Sequence, residues 1–206
     1  MATLSSFDFW TPLLLVVIVG IAAFGCFKSR AMLVVLLLVV GLTDAVVVNG
    51  LKHAVNRPRP NQVEAARVVD LQKTKVKALR FMAVFQPPVV KVAQPLAGPI
   101  EGRSFPSSHT ANNFAAAAVL ALFYRRWGWL YFLVAAGIGY SRIYTGAHWP
   151  SDVLFSVFLG TGLGALGVAA TQGAWRRYGH RLAPGLRGRH PSLLDKCAAV
   201  EDGEAI

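Results

Sequence analysis

The sequence predicts an all-α protein, a polytopic membrane helix bundle with about five transmembrane helices. Of its 206 residues, 54% are hydrophobic and 15% are charged, whereas soluble domains average about 25% charged residues. Apolar runs of about 20 residues, long enough to cross a hydrocarbon core of about 30 Å, recur along the chain. Runs this long and this free of charge do not fit a soluble protein with buried helices. We therefore expect a single membrane-embedded domain over residues 1–206.

The apolar runs define five predicted spans. No basic residue precedes the first span, and Lys28 and Arg30 follow it, which is the opposite of the charge order in a secretory signal peptide. We therefore expect this helix to be retained. The second span carries Asp44 and ends at Lys52. The predicted spans are 9–27, 32–51, 108–124, 127–144 and 151–171.

Two extramembrane segments complete the predicted organisation, a long loop over 53–107 and a basic tail over 173–206. Within the loop, residues 63–85 mix apolar side chains with lysines. This pattern fits either one or two helices lying in the membrane interface or an ordinary solvated loop. In the fifth span, three glycines share one side of the helix and predict close helix packing: Gly160, Gly164 and Gly167.

The net charge of +11 raises the question of a nucleic-acid partner. The basic residues cluster beside the apolar runs, however, which favours contact with the headgroups of membrane lipids, and no nucleic acid is expected. The clusters at 28–30, at 125–126 and in the C-terminal tail fall on one side of the predicted bundle. The positive-inside rule makes that side cytoplasmic. The 53–107 loop then lies on the extracytoplasmic side of the cell membrane.

A group of polar residues between the fourth and fifth spans indicates a functional site. Arg142, His148 and Asp152 stand at the predicted membrane edge, where charged groups are costly and usually functional. Pro150 suits the first turn of a helix, and Ser151 or Asp152 suits its cap, so a helix is predicted to begin just after His148. A guanidinium, an imidazole and a helix N-terminus together favour phosphate chemistry.

Two further groups fall on the same predicted face. Lys52 and Arg59 end the second span and share one helix face if the helix continues, although such a pair is also typical of snorkelling side chains. At the start of the third span, Ser107 or Ser108 can cap the helix, and His109 lies in its first turn. A plain N-cap with an interfacial histidine is the alternative there. Counting spans brings all three groups to one side of the membrane.

These three groups resemble, in order, the signature motifs of the phosphatidic acid phosphatase type 2 superfamily. This family also includes bacterial undecaprenyl pyrophosphate phosphatases and vanadium haloperoxidases. Ser108 departs from the family's second motif, which usually has glycine there. Members typically have six membrane helices, so the first helix of the usual set is expected to be absent here. The motifs read Lys52-x6-Arg59-Pro60, Pro106-Ser107-Ser108-His109 and Ser141-Arg142-x5-His148-x3-Asp152.

The resemblance implies a role for each motif residue. His148 would be the nucleophile that forms a phosphohistidine, and Asp152 would hold its other ring nitrogen. His109 would protonate the leaving oxygen and then activate water. No metal and no cofactor are implied. Five residues would bind the phosphate: Lys52, Arg59, Ser107, Ser108 and Arg142.

The implied protein is an integral membrane lipid phosphatase of the cell envelope that acts in phospholipid metabolism. It would hydrolyse a phosphate monoester or a pyrophosphate on a lipid headgroup. The candidate substrates are undecaprenyl pyrophosphate, phosphatidylglycerophosphate, phosphatidic acid and lipid A phosphate. His53 and Arg57, beside the first motif, are expected to be rim residues. Asp44 could orient Lys52 or a packing partner.

Two other interpretations remain open at the sequence level. One is a metal site, because His109, His148 and Asp152 are plausible ligands. The other is a protein that binds or transports a lipid phosphate without hydrolysing it and retains a relic site.

Overall fold

A computed structural model describes residues 7–65, 67–70, 89–95 and 102–195, and most of them are helical. The long apolar stretches lack proline except at Pro12, so helix formation is not interrupted within them. In chain order the elements are α1 Phe7–Phe24, α2 Phe27–Leu42, a π-helical turn Thr43–Val48, α3 Asn49–Val55, α4 Pro60–Val63, β1 Arg67–Asp70, β2 Val89–Val92, α5 Ser108–Phe123, a 3-10 turn Gly128–Leu130, α6 Tyr131–Tyr144, α7 Pro150–Leu182 and α8 Pro184–Arg189.

Helix α5 is the centre of the bundle and packs against α2, α6 and α7. A Cβ at Gly160 or Gly164 of α7 would collide with the backbone of α5, and one at Gly167 would collide with Val39 of α2. The predicted close packing of these glycines is therefore confirmed. The buried core between the helices consists of Met32, Val35, Val39, Ala115, Val119, Phe123 and Val168.

The helix faces that the other described helices leave uncovered are apolar. Phe24, Phe158 and Leu166 are examples, with exposed fractions of 91%, 72% and 68%. Exposed apolar surface on this scale is typical of a protein that faces lipid chains. Among the described residues, two helical stretches are long and apolar enough to cross a membrane: Phe27–Val63, which runs from α2 to α4, and Pro150–Leu182, which is α7.

The count of five spans remains a prediction. The apolar part of the first helix, Trp10–Phe24, is shorter than the two candidate spans. Helices α5 and α6 have 16 and 14 residues. At 1.5 Å per residue, each falls short of a hydrocarbon core of about 30 Å.

The end of the fifth predicted span differs from the sequence prediction. Helix α7 runs to Leu182, beyond the predicted end at Thr171, because nothing before Pro184 breaks it. The first part of the predicted tail is therefore helical. The described residues are mostly helical, as the sequence predicts, and β1 and β2 add a small antiparallel sheet in the long loop. The strand over 67–70 is not part of an interfacial helix, and residues 71–88 of that loop lie outside the described ranges.

At the end of the bundle opposite the three motifs, the basic turns meet. The Ser29 hydroxyl lies 2.9 Å from the Tyr124 hydroxyl, and the Lys28 ammonium lies 5.4 Å from the centre of the Tyr124 ring. The His190 ring, which follows α8, stacks on Phe27 at 4.0 Å. The start of α2, the turn after α5 and the segment after α8 thus share one end of the molecule, as the charge pattern predicts.

Candidate active site

Three segments that are far apart in the sequence meet at one end of the bundle. The Lys52 ammonium in α3 donates a hydrogen bond of 2.5 Å to the Ser108 hydroxyl at the start of α5. The Ser104 N–H donates to the Arg57 carbonyl at 2.9 Å. The third segment joins through His148, whose ring lies against the Ser104 carbonyl. The predicted convergence of the three motifs on one face is confirmed.

The loop before α5 lies directly on the turn that follows α3. Asn56 makes this turn in the left-handed conformation, with φ 46° and ψ 41°, which asparagine tolerates better than most residues. Its side-chain oxygen accepts the Gly102 N–H at 2.8 Å. A Cβ at Gly102 would collide with the backbone of Arg57, so the close approach requires glycine. This contact fixes the loop that carries Ser104.

The turn between α6 and α7 presents His148. The Arg142 carbonyl at the end of α6 accepts the N–H groups of Ala147 and His148, at 3.1 and 3.3 Å. Gly146 supplies a positive φ of 69° within this turn, a conformation that is strained for other residues. Helix α7 then begins at Pro150, which confirms the predicted helix start just after His148.

The His148 ring has one nitrogen fixed and one available. The side chain is 3% exposed, and Nδ1 lies 2.7 Å from the Ser104 carbonyl oxygen. A carbonyl can only accept, so Nδ1 carries the proton, and Nε2 keeps its lone pair in the neutral ring. Burial and then the Arg142 charge lower the pKa of His148 to about 3. The ring is therefore uncharged at neutral pH, as a nucleophile requires.

Asp152 supports this arrangement indirectly. The family resemblance implies that its carboxylate holds the second ring nitrogen of His148, but Oδ2 lies 4.0 Å from Nδ1. The Ser104 carbonyl takes that position. Asp152 is fully buried, and Oδ2 instead accepts the Ser104 hydroxyl at 2.5 Å and the Trp149 N–H at 3.1 Å. The Asp152 carboxylate thus fixes Ser104, and the Ser104 carbonyl fixes the His148 ring.

Arg57 belongs to the site, contrary to the prediction that it is a rim residue. Its Nη1 donates to Asp152 Oδ1 at 2.7 Å and to the Ser151 hydroxyl at 2.9 Å, and the guanidinium lies 5.4 Å from the centre of the Trp149 ring. One local feature of the sequence could have indicated that Arg57 points toward the site. Pro58 keeps the preceding residue out of the helical conformation, so Arg57 leaves the helix and turns toward α7. His53, in contrast, is exposed.

The helix does not continue from Lys52 to Arg59, so the condition for a shared helix face is not met. Helix α3 ends at Val55, and Arg59 is extended, with φ −81° and ψ 154°, because Pro60 follows it. The two charges nevertheless act on each other across the turn. The charges of Asp44, Arg103 and Arg142 also act on Lys52.

The two serines of the second motif have different surroundings. Ser107 is fully buried; its N–H donates to the Ser156 hydroxyl at 2.9 Å, and its own hydroxyl accepts from Thr110 at 3.0 Å. Ser108 is half-buried, and its hydroxyl already accepts from Lys52. Ser156 therefore anchors the second motif to α7, and phosphate binding by Ser107 and Ser108 remains a prediction.

His109 lies in the first turn of α5, as predicted, and is half-buried. Its carbonyl accepts the Asn113 side chain at 2.8 Å, and the Asn113 oxygen accepts the Tyr131 hydroxyl at 2.9 Å. The charges of Arg142, Arg59 and His109 all act on the His148 ring. Two histidines and a set of cations are thus brought together, as acid–base and phosphate chemistry require.

Asp44 lies in the π-helical turn, and its carboxylate accepts a hydrogen bond of 3.2 Å from the Asn112 side chain. It therefore has a packing partner on α5 and also acts through its charge on Lys52. The packing partner that the sequence left open for Asp44 is thus found in Asn112, and the orientation of Lys52 by Asp44 remains a prediction.

The residues proposed as metal ligands do not form a metal site. Among residues 7–65, 67–70, 89–95 and 102–195, no three side chains of His, Cys, Asp or Glu converge well enough to hold an ion. The Asp152 carboxylate already accepts hydrogen bonds from Arg57, Ser104 and Trp149. The donor set His109, His148 and Asp152 therefore does not fit a metal.

The pKa of His148 predicts an unusual titration. Because burial and Arg142 lower this pKa to about 3, the ring should stay neutral from pH 8 down to pH 5, with its proton on Nδ1. Nuclear magnetic resonance of the protein labelled with ¹⁵N-histidine would measure this, with the His148 signals assigned by their loss in His148→Asn. A titration midpoint between pH 5 and 8 would contradict the described geometry.

A sequence profile of the PAP2 superfamily matches residues 32–176. The match covers most of the chain and every residue of the three motifs. The protein belongs to the PAP2 superfamily.

Curated relatives match over shorter segments. An undecaprenyl-diphosphatase of Sulfolobus acidocaldarius is 36% identical over 66 residues, 32% of each chain. A lipid A 4'-phosphatase of Bacteroides thetaiotaomicron is 38% identical over 61 residues, 29% of this chain and 27% of that protein. The bacitracin transport permease protein BcrC of Bacillus licheniformis is 43% identical over 57 residues, 28% of each chain. The matched segments thus span about a third or less of these relatives.

The fold is similar to that of a solved structure, LpxE of Aquifex aeolicus. The two chains are 27% identical, with a TM-score of 0.53, and the alignment covers 82% of this chain and 81% of the other. The helical architecture described above is therefore that of a PAP2 protein.

Proposed function

We propose that this protein is an integral membrane lipid phosphatase that removes a phosphate from a lipid headgroup through a phosphohistidine on His148. One observation carries the proposal: a buried, neutral His148 has its Nδ1 fixed by the Ser104 carbonyl, which leaves Nε2 as the nucleophile. Membership of the PAP2 superfamily supports it. So do the names of two relatives, an undecaprenyl-diphosphatase and a lipid A phosphatase.

In the first step, Nε2 of His148 attacks the phosphorus atom. The bond between phosphorus and the leaving oxygen breaks as the N–P bond forms, and His109 gives its proton to that oxygen. The positive charge on the phosphorylated ring is stabilised by the hydrogen bond that Nδ1–H donates to the Ser104 carbonyl, and Ser104 is held in turn by Asp152 through its hydroxyl. A proton transfer of this kind contributes about 10²- to 10⁴-fold to the rate.

In the second step, His109, now unprotonated, takes a proton from a water molecule. The resulting hydroxide attacks phosphorus, the N–P bond breaks, and inorganic phosphate leaves. The His148 ring returns to its neutral form with its proton on Nδ1. Both histidines end in their starting states, so the cycle is balanced.

Fixed positive charge supplies the remaining catalysis. Lys52, Arg59 and Arg142 act on one another or on His148 across the site, and they would hold the phosphoryl oxygens through both steps. Preorganised cations of this kind are the main requirement of phosphoryl transfer. Because three cations would hold the phosphoryl oxygens, and no metal-binding set is found among the described residues, we propose that hydrolysis needs no divalent ion.

The same charges suggest how the protein sits in the membrane. The motifs lie at one end of the bundle, and the basic turns with Lys28 and Arg126 lie at the other, together with the end of α7. The positive-inside rule then gives a cytoplasmic C-terminus and an extracytoplasmic active site. We propose this orientation in the cell membrane, which favours a cell-envelope lipid as the substrate.

A second candidate is a non-enzymatic protein that binds or transports a lipid phosphate. The name of one relative, a bacitracin transport permease protein, favours it. Against it stands the geometry around His148, since a relic site has no need of a nucleophile with a fixed tautomer.

One assay separates these proposals. The purified protein would be incubated with undecaprenyl diphosphate, phosphatidylglycerophosphate, phosphatidic acid or lipid A, and inorganic phosphate would be measured with and without EDTA. We expect release from at least one lipid at the same rate in both conditions. Loss of release in EDTA with recovery in zinc would overturn the metal-independent mechanism. The absence of release from every lipid would favour the binding protein.

A further inference from the structure

Thr110, in the first turn of α5, makes a hydrogen bond that is unusual for a threonine in a helix. Such hydroxyl groups commonly donate to the backbone carbonyl four residues earlier. In α7 this arrangement is found at Ser156, Thr161 and Thr171. Thr110 instead donates to a side chain, the Ser107 hydroxyl, at 3.0 Å. The bond connects Thr110 to a residue of the second motif.

The other polar atoms of Ser107 are already occupied. Its N–H donates to the Ser156 hydroxyl at 2.9 Å, and its carbonyl accepts the Ala111 N–H at 2.9 Å. A serine hydroxyl has a single hydrogen, and among the described hydrogen bonds that of Ser107 has no acceptor. Ser107 is fully buried, and buried polar groups in native proteins are almost always paired. This indicates that the Ser107 hydrogen has an acceptor when the site is filled.

The active site is the place from which that acceptor would come. Ser107 lies in the chain between two residues that contact the proposed catalytic groups. The carbonyl of Ser104 accepts the His148 ring N–H at 2.7 Å. The hydroxyl of Ser108 accepts the Lys52 ammonium at 2.5 Å. An oxygen of a bound phosphate would therefore be the partner of the Ser107 hydrogen.

The bond from Thr110 determines how the Ser107 hydroxyl is used. A hydroxyl rotates and can donate or accept, but a lone pair of Ser107 Oγ is occupied by Thr110, so its hydrogen is directed away from Thr110. Thr110 is itself fully buried, and a Cβ at Gly139 of α6 would lie 3.4 Å from its methyl carbon. Helix α6 thus packs on the Thr110 side chain. The donor is oriented before the substrate binds, as electrostatic stabilisation of a transition state requires.

We propose that Thr110 is a positioning residue for phosphoryl transfer. Its hydroxyl holds the Ser107 O–H as a donor to an oxygen of the transferred phosphate. The inference rests on the proposed phosphatase function and on phosphate binding by Ser107. Thr110 does not touch the substrate, so its whole effect on turnover passes through the Ser107 hydroxyl.

The first test compares two substitutions of Thr110. Thr110→Val replaces the hydroxyl by a methyl group of similar size, and we expect it to lower kcat/KM for the best lipid substrate about three- to tenfold, the effect of one neutral hydrogen bond. Thr110→Ser keeps the bond and should stay within about twofold of the wild type. Thr161→Val is the matched control, because it removes a hydroxyl that donates to the Val157 carbonyl within α7. It should leave kcat/KM unchanged.

The second test repeats Thr110→Val in a Ser107→Ala background. Without the Ser107 hydroxyl, Thr110 has nothing to position. Adding Thr110→Val to Ser107→Ala should therefore lower kcat/KM by less than about a further twofold, because the two residues act as a unit. A purely structural role of Thr110 would instead cost activity in both backgrounds. The melting temperature of each purified variant checks its fold.

A binding measurement keeps this proposal separate from the proposed function. In calorimetry, the wild-type protein should bind inorganic phosphate about three- to tenfold more tightly than Thr110→Val does. In the Ser107→Ala background, Thr110→Val should leave phosphate binding unchanged. If the wild-type protein hydrolyses no lipid, the proposed function fails, and the binding comparison alone decides the role of Thr110.

Three results would overturn the proposal. The first is wild-type turnover and phosphate binding in Thr110→Val. The second is an equal loss from Thr110→Val with and without the Ser107 hydroxyl, which would leave Thr110 with a role in the fold only. The third is wild-type turnover and phosphate binding in Ser107→Ala, because Thr110 then has no group through which to act.

Discussion

Replacing His148 by alanine is expected to reduce phosphate release at least about 10⁴-fold, because the group that forms the covalent intermediate is lost. The buried ring also joins the turn before α7 to the Ser104 carbonyl, so the variant is expected to lose some stability as well. Phosphate release from the best lipid substrate measures the effect, and the melting temperature of the purified protein checks the fold.

His53→Ala is the matched control for this variant. His53 is an exposed histidine beside Lys52, and its replacement should leave turnover within about twofold of the wild type, as for a surface substitution. Full turnover by His148→Ala would contradict the covalent mechanism and return His148 to a structural role.

Replacing Asp152 by asparagine is expected to have the second largest effect on turnover. The carboxylate accepts from Arg57, Ser104 and Trp149, and an amide cannot accept from all three. We expect kcat to fall about 10- to 100-fold, as is typical when a group that orients an active-site histidine is lost. The stability loss should be about 2 kcal/mol, because the Arg57 side chain is 37% exposed and solvent screens the pair.

A double-mutant cycle tests whether Asp152 and Arg57 act as a unit. Asp152→Asn and Arg57→Gln together should cost less than the sum of the two single changes, because both remove the same ion pair. Asp195→Asn is the control at the other end of the bundle, where Asp195 accepts only the Ser192 N–H at 2.7 Å among the described bonds. Additive losses would contradict the pairing of Asp152 with Arg57. An unchanged Nδ1–H signal of His148 in Asp152→Asn would contradict the support that Asp152 gives to His148.

The convergence of the three motifs could be predicted from the sequence because it follows from counting. Apolar runs mark the helices, and each crossing reverses the direction of the chain. Lys52, His109 and His148 therefore had to share one face. The start of α7 could also be predicted, because Pro150 and Asp152 determine it locally.

The roles of Ser104 and Arg57 could not be predicted in the same way. Both depend on the loop before α5 crossing the turn after α3, a contact between segments 46 residues apart that Gly102 makes possible. No local pattern encodes this contact. For the same reason the partner of the His148 ring was assigned to Asp152, one helical turn away, when the Ser104 carbonyl from another segment lies closer.

The fifth predicted span, which is helix α7, is longer than the sequence pattern predicts, for a different reason. The predicted end followed the loss of apolar residues after Thr171, but a helix ends where its backbone is interrupted. Arg176 and Arg177 are good helix formers, and α7 continues through them to Leu182.

The most direct test of the central claim is to trap the phosphoryl group on the protein. The enzyme would be mixed with a lipid substrate carrying ³²P in its terminal phosphate, quenched within milliseconds in alkaline detergent, and mapped by mass spectrometry. The mechanism predicts an acid-labile, alkali-stable phosphate on Nε2 of His148, absent from His148→Ala. Label on another residue, or no protein-bound label during rapid turnover, would contradict it.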